Sequence, residues 1–301
     1  MRLVLLGGAG FLGQSLLRYL EETGERGRHK IVIYDPKPPE FFPPDLFVRG
    51  SLEETDRVRD LLEPDDVVAH MVHAAIASEF TDARPGLEDS LSPSLRLVEL
   101  LQEKPVAGLI YFSSGGTIYG EPALRRPIPE SAPVNPGSVY AAVKVKIEQA
   151  IMAGQKAGSL KYIILRPGNP FGPLQAQLNR HGAVAHILNS LALDREFTLY
   201  GDGETVRDYF YVDDLSRAFW LLLGNSRWGQ IYNVGSGEGT SVNRLIELCR
   251  EITGRKLRKI IKPARPTDLE YNVLDPAKLM SEGWSLQTPL RQGLSKTWNS
   301  F

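Results

Sequence analysis

Tyr140 and Lys144 stand one helical turn apart in Tyr140-Ala141-Ala142-Val143-Lys144, a spacing that puts both side chains on one face of a helix. A phenol beside an ammonium is a device for moving a proton, because the cation favours the phenolate over a phenol whose pKa is otherwise about 10. A hydroxyl from an earlier strand end can complete the device, and Ser113-Ser114-Gly115-Gly116-Thr117 offers candidates. Such a group suits removal of a proton from a carbinol oxygen while hydride leaves the same carbon.

Hydride needs an acceptor, and the start of the chain suggests one. Leu3-Val4-Leu5-Leu6 is an apolar run fitting a buried parallel strand, and it passes into Gly7-Gly8-Ala9-Gly10-Phe11-Leu12-Gly13 and then a helical pattern of Leu16, Leu17 and Leu20. Gly8, Gly10 and Gly13 satisfy G-x-G-x-x-G, while Gly7, Gly10 and Gly13 give a G-x-x-G-x-x-G spacing. These glycines permit a tight turn, close approach of backbone to a pyrophosphate, and close packing of helix on strand. The helix N-terminus adds N–H groups and a positive dipole end, so Gly7, Gly10, Phe11, Leu12 and Gly13 are candidate cofactor contacts. A second strand, Ile31-Val32-Ile33-Tyr34, ends at Asp35, about 20 residues beyond the glycines, where an acid accepts from a ribose 2′-hydroxyl. A carboxylate there repels a 2′-phosphate, which favours NAD over NADP, although Lys37 is close by in the sequence.

These residues need a scaffold, and the chain supplies alternating strand and helix signals. Phe47-Val48-Arg49-Gly50-Ser51 reads as a third strand ending near the adenine, with Ser51 and Leu52 as candidate cofactor contacts. Val67-Val68-Ala69-His70-Met71-Val72, Leu109-Ile110-Tyr111-Phe112 and Tyr162-Ile163-Ile164-Leu165-Arg166 read as further buried strands. Helices are expected over about 92–103 and 140–157. The succession is that of an α/β, Rossmann-like doubly wound parallel sheet, whose ligands lie at strand C-termini. Residues 1–167 would form this NAD-binding domain, with later segments including 206–224 returning to it. Residues 168–301 would form a smaller, mixed substrate lobe.

Composition fits such an enzyme. The chain has 301 residues and a formal net charge of −1 at pH 7, with no basic stripe, which argues against a nucleic-acid partner. No apolar run reaches the roughly 20 residues needed to span a bilayer, and the first strand leaves no room for a signal peptide. The one cysteine, Cys249, excludes an intramolecular disulfide and fits a small buried apolar residue, so a cytoplasmic protein is expected. The histidines show no ligand spacing, and no metal site is expected. His70 and His73 read as structural or cofactor-adjacent, and His181 and His186 as part of a variable segment. Asp213 and Asp214 read as N-caps of a helical run over 215–223.

Taken together, the blocks resemble the extended short-chain dehydrogenase/reductases, in particular the nucleotide-sugar epimerase/dehydratase group. The resemblance rests on the glycine loop, on Ser113-Ser114-Gly115-Gly116-Thr117-Ile118-Tyr119-Gly120, on Tyr140 and Lys144, and on Arg166-Pro167-Gly168-Asn169-Pro170-Phe171-Gly172-Pro173. Tyr200-Gly201-Asp202-Gly203, Arg207-Asp208-Tyr209, Tyr211-Val212-Asp213-Asp214 and Asn233-Val234-Gly235-Ser236-Gly237 continue it in order.

The resemblance implies that Tyr140 is the base acting on a sugar hydroxyl, commonly O4. Lys144 would hold the nicotinamide ribose and lower the Tyr140 pKa. The third hydroxyl usually stands where this chain has Gly115, so it would come from Ser114 or from Thr117, with Ser114 preferred. Dehydratases of the group carry an Asp-Glu pair where this chain has Gly116 and Thr117, and decarboxylases tend to show a Glu there. Epimerisation of a nucleotide sugar at C4 through a 4-keto intermediate is therefore implied, with a UDP-hexose as substrate. Reduction of a nucleotide 4-keto sugar and a non-catalytic NAD-binding regulator are the alternatives. Ser114, Gly115 and Gly116 would line the substrate, Asn169 would contact its diphosphate, Arg207 and Arg265 its phosphates, and Asp268 its ribose. Ser90 stands where relatives often have asparagine. A homodimer through the helices over about 92–103 and 140–157 is also implied.

Overall fold

The computed structural model describes residues 1–72, 86–156, 158, 160–177, 182–265 and 268–301. His73, Ala74, Ala75, His181, Pro266 and Thr267 lie outside the described residues, as does the side chain of Ser90. The chain opens with β1 (Arg2–Leu6), α1 (Phe11–Glu22), β2 (Lys30–Asp35), β3 (Leu46–Arg49), α2 (Thr55–Leu61) and β4 (Asp66–His70). It continues through α3 (Gly86–Glu103), β5 (Gly108–Phe112), α4 (Gly115–Ile118), α5 (Val139–Lys156), β6 (Tyr162–Pro167), β7 (Asn169–Phe171), α6 (Pro173–Gln177) and α7 (Ala183–Ala192). Next come β8 (Phe197–Tyr200), β9 (Val206–Arg207), β10 (Tyr209–Tyr211), α8 (Val212–Gly224), β11 (Gln230–Val234), β12 (Thr240–Ser241) and α9 (Val242–Thr253). The chain closes with β13 (Lys259–Lys262), β14 (Tyr271–Asn272), α10 (Ala277–Met280) and α11 (Leu290–Trp298).

Two compact units arise. The first gathers Met1–Ser114, Pro136–Arg166 and Leu222–Tyr232, and the second Gly115–Asn135, Pro167–Leu221 and Asn233–Phe301. Of the stretch 206–224, only residues 222–224 group with the first unit; the returning segment runs to Tyr232 because it carries β11 to the sheet.

A seven-stranded sheet in the order β11-β6-β5-β4-β1-β2-β3 organises the first unit. The pairings β1/β2, β1/β4, β2/β3, β4/β5 and β5/β6 are all parallel. Every residue of β4 and of β5 is buried, as expected where helices cover both faces of a parallel sheet and the strands need no polar face. Val4, Val32, Val68, Leu109 and Ile164 from five strands share one core cluster with Leu97, Leu101, Val143 and Ile147 of α3 and α5. α3 begins at Gly86, earlier than expected, and holds Pro93 within it. Burying its apolar stripe against α5 outweighs the lost backbone hydrogen bond.

In the second unit, α7, α9 and α11 pack with β8 and β10 around Phe171, Ile187, Phe197, Tyr211, Leu245, Cys249 and Leu294. Cys249 is buried and free, and burial pushes its thiol up to about 12. Small sheets complete the unit: β10-β7, β12-β9-β14 and β13-β8. Among the described residues β13 pairs with β8 alone, and all four of its residues are exposed; Ile260 and Ile261 stand between Lys259 and Lys262. α8 begins at Val212, so Asp213 and Asp214 lie inside its first turn rather than at its N-cap. Asp214 instead accepts from the backbone N–H groups of Gln287 (2.8 Å) and Thr288 (3.2 Å) and from Arg217 (2.6 Å). No described helix is long and apolar enough to cross a membrane.

Candidate active site

The glycine loop joins β1 to α1 at the C-terminal edge of the sheet. Gly7 adopts φ +80°, and its N–H donates to the Tyr34 carbonyl at 3.0 Å. A Cβ on Gly13 would stand 2.2 Å from the Gly8 carbonyl oxygen, so only glycine lets α1 settle on the loop. Gly10 differs: a Cβ there would meet nothing nearer than the Gly7 carbonyl oxygen at 3.5 Å. Gly10 is also the N-cap of α1, with no side-chain cap, so the first N–H groups of the helix, from Phe11 and Leu12 onward, lack a side-chain acceptor. Open space over a bare helix N-terminus is the form a pyrophosphate requires.

Asp35 closes β2 and leans on the same loop. Its Oδ2 accepts from Ala9 N–H at 3.2 Å and its Oδ1 from Lys37 N–H at 3.1 Å. Ser51 follows β3; its carbonyl accepts from the Tyr34 hydroxyl at 3.0 Å, and Leu52 behind it is buried. The glycine loop, Asp35, Ser51 and Leu52 thus follow three neighbouring parallel strands, and these residues fit an adenine dinucleotide.

β5 delivers the next group. Ser113 N–H donates to the Leu165 carbonyl at 2.8 Å, and the buried Ser113 hydroxyl has no hydrogen-bond partner. Ser138 caps the start of α5, its hydroxyl accepting from Ala141 N–H at 3.2 Å. That cap starts the helix so that Tyr140 and Lys144 occupy successive turns of one face. The Tyr140 and Ser114 side chains are hydrogen-bonded to each other. Lys144 is buried and donates to the Phe112 carbonyl at 2.8 Å, with its Nζ 4.9 Å from the centre of the Tyr111 ring and 5.8 Å from that of Tyr140. Thr117, the other hydroxyl considered, stands half-buried in α4, in the second unit.

The electrostatics correct one expectation. Burial pushes the Tyr140 phenol up to about 12, opposed only by its hydrogen bond with Ser114. Burial also pulls the Lys144 amine down to about 7, with the Glu148 carboxylate opposing. Proximity of an amine is therefore not enough to lower the phenol: desolvation penalises both charged forms and dominates in the protein alone.

The other expected residues belong to the second unit. The Gly115 carbonyl accepts from Asn272 Nδ2 at 3.1 Å. A Cβ on Gly116 would meet the Gly168 carbonyl oxygen at 3.5 Å and Asn169 Nδ2 at 3.8 Å. Asn169 Nδ2 is buried without a partner, while its backbone N–H donates to the Asp208 carbonyl at 2.9 Å. Arg207 on β9 is half-buried and donates to the Val206 carbonyl at 2.9 Å. Its neighbour Asp208 is fully buried and accepts from Ser236 N–H (2.8 Å), Ser236 Oγ (2.5 Å), Gly237 N–H (3.3 Å) and Leu274 N–H (3.2 Å). Arg265 is exposed, its guanidinium 3.8 Å from the Tyr200 ring centre, with the exposed Asp268 at 4.0 Å.

Residues not anticipated from sequence also join the group. Tyr111 and the Phe112 carbonyl seat Lys144, and Glu148, one turn beyond Lys144, forms a buried pair with Arg166. The i, i+4 spacing from Lys144 to Glu148 was visible, but an acid at that spacing ordinarily marks a solvated face. His70 lies in the same core, its Nε2 2.9 Å from Ser94 Oγ and its ring 5.2 Å from Tyr111. Among the described residues, no group of three or more His, Cys, Asp or Glu side chains could hold a metal ion.

Comparison with known proteins identifies relatives along the whole chain. The NAD dependent epimerase/dehydratase family matches residues 3–235. The UDP-glucose 4-epimerase of Mycolicibacterium smegmatis is 30% identical over 313 residues, covering 100% of this chain and 98% of the relative. The crystal structure of UDP-glucose 4-epimerase with UDP-glucose from Thermotoga maritima superposes with a TM-score of 0.89 at 31% identity, covering 100% of this chain and 98% of the other. The UDP-glucose 4-epimerase of Thermus thermophilus in complex with NAD gives 0.87 at 30% identity, with the same coverage.

Proposed function

The chain belongs to the NAD dependent epimerase/dehydratase family, and from that premise we propose that it epimerises a UDP-hexose at C4, of the glucose/galactose kind, through a transient 4-keto sugar. The observation that carries this reading is the Tyr140–Ser114 hydrogen bond beside Lys144, in a chain whose Gly116 and Thr117 supply no carboxylate for elimination. Bound NAD supplies the hydride acceptor and, on the return, the hydride donor. Gly7, Gly10, Phe11, Leu12 and Gly13 would hold its pyrophosphate, Asp35 its adenosine ribose, and Ser51 and Leu52 would border its adenine.

Tyr140 takes the proton from O4 as the C4–H bond breaks and gives it back to the keto oxygen when hydride returns to the opposite face. Ser114 shares a hydrogen bond with that oxygen and with the phenol, so the proton passes along a short prearranged path. The reaction asks Tyr140 to act as a phenolate, and its displaced pKa must fall when the positive nicotinamide ring and a protonated Lys144 stand together beside it. Lys144 would also donate to the nicotinamide ribose. Asn169, with its unpartnered buried amide, suits the substrate diphosphate, Arg207 and Arg265 the phosphate oxygens, and Asp268 the ribose of the nucleotide. Relatives that bind UDP-glucose and NAD support both ligands. We further infer a cytoplasmic homodimer formed through α3 and α5.

The test is to release bound ligand from purified protein for mass spectrometry, then supply UDP-glucose or UDP-galactose without added cofactor. Retained NAD and interconversion are expected, with turnover reduced by about 10³ or more in Tyr140→Phe. A strict need for external NADPH with net reduction of a 4-keto sugar would replace this reading by the reductase. Unchanged behaviour of Tyr140→Phe in every assay would point to a non-catalytic NAD-binding protein.

A further inference from the structure

We propose that Glu148, clasped by Arg166, is a positioning residue that keeps the Lys144 amine protonated and seated at the Phe112 carbonyl; this rests on the role given to Lys144 above. α5 stacks Tyr140, Lys144 and Glu148 on successive turns of one face. Arg166, at the end of β6, closes a two-pronged grip on the acid: Nε donates to Oε1 at 3.0 Å and a terminal nitrogen to Oε2 at 2.5 Å. Both side chains are almost wholly buried, at 2% and 6% exposure. Such a grip fixes the carboxylate in one orientation and leaves it little freedom to turn away from the helix face it shares with Lys144.

Stability alone does not account for the pair. A buried ion pair can commonly be replaced by apolar residues of similar volume at no cost, and β6 and α5 are otherwise apolar where they enter this core. The surroundings of Lys144 give the pair a use. Among the described residues, Tyr140 and Glu148 of α5, Tyr111 of β5 with His70 of β4 against its ring, and Tyr162 and Arg166 of β6 are the titratable groups around it. Burial raises all three phenols and holds them neutral near pH 7, and Arg166 carries the same sign as the amine. Among these described groups Glu148 is the acid, and its charge opposes the burial that draws Lys144 toward its neutral form. A neutral amine would lose the positive charge that the phenolate needs.

The test reads Lys144 itself. Protein labelled at lysine ¹³Cε is titrated by NMR, with the Lys144 signal assigned by its loss in Lys144→Arg. In Glu148→Gln the Lys144 midpoint is expected to fall by about one pH unit. Glu148→Asp, which keeps the charge, should restore most of it. The paired variant Glu148→Leu with Arg166→Met removes both charges without leaving either buried alone, and it should lower the midpoint in the same direction even if Glu148→Gln does not fold. A Lys144 midpoint unmoved in the folded variants overturns the proposal, whatever happens to turnover. So does a fall in Glu148→Asp as large as in Glu148→Gln. The titration needs no sugar substrate, so failure of the epimerase reading would appear separately, as absent sugar interconversion with the Lys144 shifts intact.

Discussion

A lysine side chain with 1% exposure costs the fold something, and the cost has a sign that can be measured. Lys144 titrates at about 7 in the folded chain against an ordinary 10.5. Below about 7 both states carry the charge, and the folded state bears the full penalty of burying it. Between that point and 10.5 the unfolded state binds the extra proton, so stability rises with pH. Replacing the amine by an apolar chain removes the penalty. Lys144→Met should therefore be more stable than the parent at pH 6, and its advantage should shrink by up to about 1.4 kcal/mol per pH unit between about 7 and 10. Urea unfolding of both proteins at pH 6, 8 and 9.5 reads this, and a constant difference would show that Lys144 is not charged at cost. The same residue shows where sequence reasoning stopped. Tyr140, Lys144 and Ser114 were legible as a group, because their spacing and strand-end context are written in the chain. The direction of the Tyr140 shift was not, because it depends on how much water each group loses, and no spacing encodes that.

The elements divide the glycines of the loop into two kinds. Gly13 is fixed by the approach of α1 to the loop backbone, and Gly10 by space that the protein leaves open. Gly13→Ala should shift α1, costing about 1–3 kcal/mol of stability and NAD retention together. Gly10→Ala, in an extended conformation that alanine accepts, should melt within a few degrees of the parent yet lose bound NAD. Thermal unfolding and cofactor content after purification separate the two, and equal melting losses in both would contradict the distinction. Six strands of the main sheet were legible because each is a short apolar run, in several cases leading straight into glycine or serine. β11 was not: Gln230 and Asn233 interrupt its apolar character, and Gly235 and Gly237 just beyond it read as a loop. The aspartates of α8 were misread because an acid pair before an apolar run is the usual sign of a helix start. Only the distant backbone N–H groups of Gln287 and Thr288 reveal what Asp214 holds.

At the scale of the molecule, chain order and compact units part company. The first unit takes its strands from Met1–Ser114 and Pro136–Arg166 and then collects Leu222–Tyr232 from far along the chain. A fragment of residues 1–167 would leave β6 as a bare edge in place of β11 and would leave the Trp228 ring off Gly108, against which it sits too closely for any Cβ. Such a fragment should lack a cooperative thermal transition by circular dichroism, whereas the intact chain should show one. A sharp melt for the fragment would mean that β11 is dispensable. The exposed strand β13 carries a different kind of consequence. Among the described residues no strand pairs with its outer edge, and its two isoleucines, Ile261 at 70% exposure, would make it adhesive. Lys259 and Lys262 turn that edge into a gate worked by ions. Two copies meeting there bring like charges together, and dissolved salt weakens that repulsion over a few ångströms. Added salt should therefore raise self-association of this protein by light scattering, and low ionic strength should keep copies apart.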